Sequence, residues 1–135
     1  MTSHEQANLV LIREYLKALE AAATGDALAR FFSPDAIQVE LPNRLNPHGG
    51  RSDLSTLLGR AELVPKLLRS QRYKIVSELA AGANAAVEAS WSAVLETGFG
   101  NVPAGTEMKA HFAMFFEIES GRIKSQRNYD CFEPW

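Results

Sequence analysis

The first part of the chain carries apolar residues at helical spacing. One stripe contains Leu9, Ile12, Leu16 and Leu19. This spacing is typical of an amphipathic helix packed against a core. Ser3 with Gln6 three residues later has the pattern of a capping box, so we predict a helix over residues 4–22. A second, short helix is expected to end near Phe32.

The second half of the chain changes to an alternating pattern. Its alternating segments are residues 73–80, 85–96, 106–119 and 122–132. Glycine-containing turns separate them, and four consecutive strands with short connections predict an antiparallel meander. A further strand is predicted over residues 36–41. Its parity places Gln38 and Glu40 on one face and Ile37 on the other.

The stretch between these regions predicts a loop followed by helix. Residues 42–52 are rich in Pro, Gly and Asn, which favours a loop. Residues 53–70 have a helical composition, and Pro65 predicts either two short helices or one kinked helix. Helices followed by strands favour an α+β fold, and the length suits a single domain over residues 1–135.

Both faces of the later strands are partly apolar, which predicts a partner. In residues 109–116, one face carries Ala110, Phe112, Met114 and Phe116. The other face carries His111, Ala113 and Phe115. Because a sheet that is apolar on both sides is covered on both, and the helices of one domain cover one side, we predict a homodimer through the outer face. His111 is expected to lie on that face.

Composition excludes several classes of function. The net charge is -2 with mixed signs, so we expect no nucleic-acid partner and no anionic membrane partner. Cys131 is the one cysteine, which excludes an internal disulfide framework. The polar N-terminus does not resemble a signal peptide, and no apolar run approaches the roughly 18 residues that span a bilayer. We therefore expect a cytoplasmic protein.

Motifs for cofactor chemistry are missing from the sequence. It contains no nucleotide-binding glycine motif and no serine-hydrolase motif. Its three histidines and Cys131 lack metal-ligand spacing. We therefore predict neither a cofactor nor a metal.

The order of these elements resembles the NTF2-like superfamily, which includes the SnoaL-like polyketide cyclases, the ketosteroid isomerases and the limonene epoxide hydrolases. The resemblance covers nearly the whole chain and rests on residues 14–19, 25–26, 31–36, 121–123 and 127–130. It implies a cone, in which a curved antiparallel sheet wraps around three N-terminal helices and encloses a pocket. It also implies a small apolar or oxygenated ligand.

The resemblance also implies roles for individual residues. By similarity to the ketosteroid isomerases, Tyr15 matches the oxyanion-hole tyrosine and Glu40 matches the carboxylate base. Ala110 stands where those enzymes have a second donor, an aspartic acid, so standard steroid isomerisation is not expected. The acids of the last strand have the parity opposite to that in the epoxide hydrolases. For a SnoaL-like cyclase, Glu40, Asp130 or His111 remain candidate acids or bases.

If the strand parities carry over, one face of the late strands lines the pocket. We expect Glu40 to be the general base or acid, Tyr15 the electrophilic donor, and Asp130 an orienting acid. The predicted substrate-binding residues are Trp91, Phe112, Met114, Gln126 and Asn128. Three alternatives stay open: Tyr15 at the edge of the core, Asp130 solvated at the rim, and Trp91 on the dimer face. A cofactor-free isomerase, cyclase or hydrolase is the first functional hypothesis, and a non-catalytic ligand-binding protein is the second.

Overall fold

The computed structural model describes all of residues 1–135, which form four helices and one six-stranded sheet. In chain order the elements are α1 (Ser3–Glu20), α2 (Asp26–Ala29), β1 (Phe32–Glu40), β2 (Gly50–Asp53), α3 (Leu54–Ala61), α4 (Val64–Leu67), β3 (Leu68–Ala81), β4 (Asn84–Leu95), β5 (Glu107–Glu119) and β6 (Arg122–Phe132). The predicted α+β class, with a curved sheet around helices, is confirmed.

The strands are ordered β2-β1-β6-β5-β4-β3. Strands β3 to β6 form the predicted antiparallel meander, whereas β1 runs parallel to β6. In that parallel pair, Gln38 lies beside Gln126 and Glu40 beside Asn128. The backbone N–H of Leu41 donates to the carbonyl of Asn128 at 2.9 Å. The pairing therefore sets two polar residues of β1 next to two polar residues of β6.

Several predicted boundaries were wrong. Strand β1 begins at Phe32, with an irregular register before Ile37, and β2 occupies the end of the predicted loop and the first residue of the predicted helical stretch. Strand β3 begins at Leu68, so part of the predicted helical stretch is strand. These segments lack a clear alternating apolar pattern, and pairing with a neighbouring strand decides their conformation.

The predicted cap of α1 was wrong by one residue. The hydroxyl of Thr2 accepts from the backbone N–H of Glu5 at 3.1 Å, and the Glu5 carboxylate accepts from the Thr2 N–H at 2.8 Å. Both Thr2–Glu5 and Ser3–Gln6 have capping-box spacing. The carboxylate of Glu5 additionally interacts favourably with the positive end of the helix dipole, which is the physical reason to favour the first pair.

The core lies between α1 and the inner face of the sheet. Its largest fully buried side chains are Phe31, Phe116, Ile12 and Ile123. On β5 the alternate residues from Met108 to Ile118 are buried, while most residues between them are exposed. Arg13 on helix α1 forms an ion pair with Glu78 on β3. One face of the sheet therefore supplies the core and the walls of any cavity within it.

The other face of the sheet exposes large apolar side chains. Val76, Leu79, Phe115 and Tyr129 are exposed there, and Phe115 and Tyr129 contact each other edge to face at 5.7 Å. The predicted homodimer through this face stays a prediction. None of the helices combines the length and apolarity that crossing a bilayer requires.

Candidate functional site

A cavity with two adjoining chambers lies between the helices and the inner face of the sheet. The inner chamber has a volume of about 200 Å³ and the outer chamber about 540 Å³. Five residues border both chambers and form the neck between them: Arg60, Val64, Tyr73, Phe112 and Asp130. The walls are mostly apolar, so a polar group in the neck faces a ligand in mostly apolar surroundings.

The predicted pocket residues all border this cavity. Those of the inner chamber are Tyr15, Met114, Gln126 and Asn128. Phe112 and Asp130 lie in the neck, and Glu40 and Trp91 lie in the outer chamber. His111 lies outside the cavity, on the exposed face, where its Nε2 is 3.0 Å from Glu133. Placement brings the candidates together, and their roles remain predictions.

Alternation along β6 explains why its polar residues converge. Gln126, Asn128 and Asp130 point inward, whereas the intervening Arg127 and Tyr129 are exposed. On β5 the partners of these inward residues are Phe116, Met114 and Phe112. A ladder of three polar side chains therefore runs beside a ladder of apolar ones.

A directional chain of hydrogen bonds begins at Tyr15. Its hydroxyl donates to Oε1 of Gln126 at 3.0 Å. Nε2 of Gln126 then donates to Oδ1 of Asn128 at 2.9 Å. Since Oδ1 of Asn128 accepts, its Nδ2 is the end that remains free to donate, and no buried side-chain polar atom lacks a partner. The chain thus leaves the Asn128 amide N–H groups available to a ligand.

Asp130 is an acid whose environment favours the protonated form. Burial, together with the smaller effect of the negative charge of Glu40, raises its pKa to about 6. Glu40 accepts a hydrogen bond from Nδ2 of Asn43 at 2.6 Å. A carboxyl group that titrates near neutral pH both accepts and returns a proton under physiological conditions, which is the property of a general acid–base group.

The two buried tyrosines have the opposite character. Burial raises the pKa of Tyr15 to about 12, against the opposing effect of the Gln126 and Gln38 amides. Burial is also the largest cause of the raised pKa of Tyr73. Both hydroxyls therefore stay protonated at neutral pH and serve as hydrogen-bond donors, not as bases.

Aromatic side chains form the floor of the outer chamber. Trp91 stacks on Phe112 with ring centroids 5.2 Å apart, and it meets Phe132 edge to face at 5.9 Å. Its indole N–H donates to Oε1 of Gln71 at 3.0 Å, and Nε2 of Gln71 donates to the carbonyl of Leu19 at 3.1 Å. The indole is held in place by these contacts, so it presents a rigid apolar wall to a ligand.

Several residues that line the cavity were not predicted as site residues, among them Gln38, Gln71, Tyr73 and Arg60. Gln38 shares its parity with Glu40, and that signal was present in the sequence. Gln71 lies between the stretch predicted as helix, residues 53–70, and the strand predicted over residues 73–80, which Tyr73 opens. Arg60 had no signal, because its place depends on how α3 packs against the sheet. No three His, Cys, Asp or Glu side chains cluster closely enough to hold a metal ion.

The geometry supports one kind of chemistry at the neck. Asp130 provides an acid–base carboxyl group, and Asn128, two residues before it on the same face, provides amide donors. A base beside a donor is the arrangement that proton abstraction next to a carbonyl requires, because negative charge moves to the carbonyl oxygen. The apolar chambers on either side hold the rest of the ligand.

The sequence matches the model of a known protein family. A family model described as the SnoaL-like domain matches residues 12–126. A search of curated protein sequences found no match.

Solved structures share the fold at low sequence identity. AclR, a candidate hydroxylase from Streptomyces galilaeus, is 14% identical, with 96% of this chain and 82% of AclR covered at a TM-score of 0.78. IdmH, a candidate polyketide cyclase from Streptomyces antibioticus, is 18% identical, with 91% of each chain covered and a TM-score of 0.74. A candidate polyketide cyclase from Xanthomonas campestris pv. campestris is 21% identical, covers 94% of this chain and 92% of its own, and has a TM-score of 0.77. At these identities the likeness concerns the fold.

Proposed function

Because the chain belongs to the SnoaL-like domain family, we propose that it is a cofactor-independent enzyme that moves a proton on a small, mostly apolar, oxygenated molecule. The observation that carries this proposal is Asp130, a carboxyl group with a pKa of about 6 in the neck of an apolar cavity. Fold alone does not imply activity, and the argument therefore depends on the chemistry of the neck.

The proposed reaction begins at a carbon next to a carbonyl group. The Asp130 carboxylate takes the proton, the C–H bond breaks, and its electron pair moves into the carbonyl to form an enolate. Nδ2 of Asn128 donates to the enolate oxygen. Return of the proton to a different carbon is an isomerisation. Attack of the enolate carbon on a second carbonyl, followed by return of the proton to the new alkoxide, is an aldol cyclisation.

This assignment differs from the roles that the resemblance implied. Tyr15 was expected to be the electrophilic donor, but its hydroxyl donates to Gln126. We assign Tyr15 the role of positioning Asn128 through that amide. Glu40 was expected to be the base, but it lies in the outer chamber, and Asp130 borders both chambers. We assign Glu40 the role of raising the pKa of Asp130.

The proposal is tested by hydrogen exchange on a model ketone. 2-Tetralone is small and apolar, and its C1 protons are acidic enough to exchange slowly in D₂O. We expect the protein to accelerate incorporation of deuterium at C1. The measurement is the loss of the C1 proton signal in ¹H NMR, with the ketone in excess over the protein. Exchange no faster than with an equal concentration of a variant that lacks the acid, Asp130→Asn, would count against the proposed chemistry.

Replacing Glu40 by Gln tests whether Asp130 or Glu40 is the base. Removing the negative charge of Glu40 lowers the pKa of Asp130. Because the exchange rate increases as Asp130 ionises, the midpoint of the pH profile should lie at a lower pH than in the wild type. The plateau should fall only modestly, because Asp130 becomes a weaker base. The measurement is the pH dependence of C1 exchange, with Glu88→Gln on the exposed face as the control. A plateau about 10²–10⁴-fold lower would instead identify Glu40 as the base.

A binding protein without turnover is the second candidate function. It is favoured by the outer chamber, where Trp91, Phe112 and Phe132 contact one another and form a ready aromatic surface. Under this hypothesis, isothermal titration calorimetry detects binding of 2-tetralone while C1 exchange stays at the rate in buffer. Asp130→Asn would then change affinity only.

We also propose that two copies associate through the exposed face of the sheet. Support comes from the apolar patch of Val76, Leu79, Phe115 and Tyr129. Native mass spectrometry should find a species of twice the 14.9 kDa chain mass. Phe115→Glu should shift the protein to monomer, because it buries a charge at the interface. Leu63→Glu, which likewise replaces an exposed apolar side chain by a charged one but in the helical region, should leave the dimer intact. A wild-type protein that is monomeric at micromolar concentration would contradict this proposal.

A further inference from the structure

Arg60 is a feature of the cavity that the proposed reaction does not use. It borders both chambers and is the one cationic side chain among the residues that line them. Glu40 and Asp130 are the acidic residues among the same linings. A single positive charge in the neck of a mostly apolar cavity is available to bind an anionic group of a ligand.

The position of Arg60 is set by a buried partner. Its Nη2 donates to Oγ of Ser52 at 2.7 Å, and Ser52 is only 7% exposed. Ser52 lies opposite Gln38 in the β1–β2 pair, so it belongs to the inner face. On the same helix, Leu57 and Ala61 are buried against the core. The hydrogen bond therefore holds the guanidinium beside the cavity lining, although Arg60 as a whole is exposed to solvent.

The remaining donors of Arg60 have no acceptor within the protein. The hydrogen bond to Ser52 is its one side-chain contact of that kind, and it takes part in none of the ion pairs. Asp130 is absent from the ion pairs as well, so its carboxylate does not occupy these donors. A guanidinium has five N–H donors arranged to bind a carboxylate in a bidentate manner.

We propose that Arg60 binds a carboxylate group of the ligand, so that the substrates are small, mostly apolar carboxylic acids. This inference rests on the proposed function in one respect: the carboxylic acids are substrates only if the protein is an enzyme, and are otherwise ligands. The carboxylate contacts Arg60 at the neck, and the apolar part of the ligand lies against the aromatic floor of the outer chamber. Arg60 thereby selects the ligand, while Asp130 and Asn128 carry out the chemistry.

The test compares two ligands of the same shape and different charge. 2-Naphthoate and 2-naphthamide are titrated by calorimetry at pH 8, where both Asp130 and the ligand acid are ionised. We expect the wild type to bind the naphthoate at least about tenfold more tightly, which corresponds to the strength of a charge-assisted, bidentate contact. In Arg60→Gln the preference should reverse in favour of the amide, because Glu40 and Asp130 then repel the carboxylate without compensation.

Two further variants sharpen the comparison. Arg60→Lys keeps the charge but loses the planar pair of donors, so it should retain only part of the preference. Arg51→Gln removes an arginine that faces the other side of the sheet and should bind both ligands as the wild type does. Equal affinity of the wild type for the two ligands, or an unchanged preference in Arg60→Gln, overturns the inference.

The outcome is separable from that of the proposed function. Asp130→Asn should slow exchange of 2-tetralone by about 10²–10⁴-fold and still prefer the naphthoate. If exchange is absent from the wild type while the naphthoate preference depends on Arg60, the protein binds carboxylic acids without turning them over. If exchange depends on Asp130 and the preference is missing, the enzyme assignment stands and the carboxylate assignment falls.

Discussion

Asp130→Asn is expected to slow deuterium exchange at C1 of 2-tetralone by about 10²–10⁴-fold, the usual contribution of a positioned general base. The amide has nearly the shape of the carboxyl group, so the cavity keeps its form while losing the group that takes the proton. In the wild type the rate should rise with pH around a midpoint of about 6, because only the ionised carboxylate is a base. In the variant that dependence should disappear.

Loss of activity in this variant should not reflect unfolding. The pKa of Asp130 is raised in the folded protein from 3.8 to about 6, so the unfolded chain ionises first as the pH rises. The folded protein therefore loses stability between about pH 4 and pH 6, and the loss persists above that window. Asparagine does not titrate. Urea unfolding at pH 8 should thus show Asp130→Asn at least as stable as the wild type.

A matched control removes a different aspartate. Asp35→Asn changes an exposed residue on β1, and it should leave both the exchange rate and its pH midpoint unaltered. An Asp130→Asn protein that is folded and exchanges 2-tetralone at the wild-type rate would exclude Asp130 as the base.

Asn128→Leu is expected to slow the same exchange by about 10²–10³-fold, which is the typical effect of removing one oxyanion donor. Leucine has the same branched arrangement of side-chain heavy atoms as asparagine and offers no N–H group, so the enolate oxygen loses its partner in the cavity. The pH midpoint should remain near 6 or move slightly upward, because Asp130 is still present and becomes less solvated. Rate and midpoint together distinguish loss of the donor from loss of the base.

Tyr15→Phe tests whether the tyrosine acts directly or through Asn128. If its hydroxyl contacted the enolate, the variant would lose about 10²–10³ in rate, as Asn128→Leu does. We expect a smaller loss, because the hydroxyl donates to Gln126 and only orients the chain that ends at Asn128.

Stability provides a second measure of that role. Tyr15→Phe leaves the buried Oε1 of Gln126 without its donor, which should cost about 1–3 kcal/mol of the free energy of unfolding. Adding Gln126→Met to Tyr15→Phe should cost less than the sum of the two single changes, because an apolar pair replaces a polar one. Additive effects in urea unfolding would contradict the direct Tyr15–Gln126 hydrogen bond.

Most of the fold was predictable because it depends on local periodicity. The stripe of α1 and the alternation of β4, β5 and β6 each report which side of an element is buried, and the order of the elements carried the SnoaL-like resemblance that the family match confirms. The inward direction of Gln126, Asn128 and Asp130 follows from the same alternation. Strand β2 and the first residues of β3 were not predictable, since their conformation comes from pairing with a neighbouring strand.

The chemistry of the site divides in the same way. The sequence by itself determined which residues share a face, because side-chain direction in a strand depends only on position along it. The tertiary structure alone decided that β1 runs parallel to β6 and sets Glu40 beside Asn128, and that Arg60 reaches the neck from α3. It also decided that the Tyr15 hydroxyl meets Gln126, 111 positions away. A pKa, a hydrogen bond and a cavity arise from distances between residues remote in the chain, and no local pattern specifies those distances.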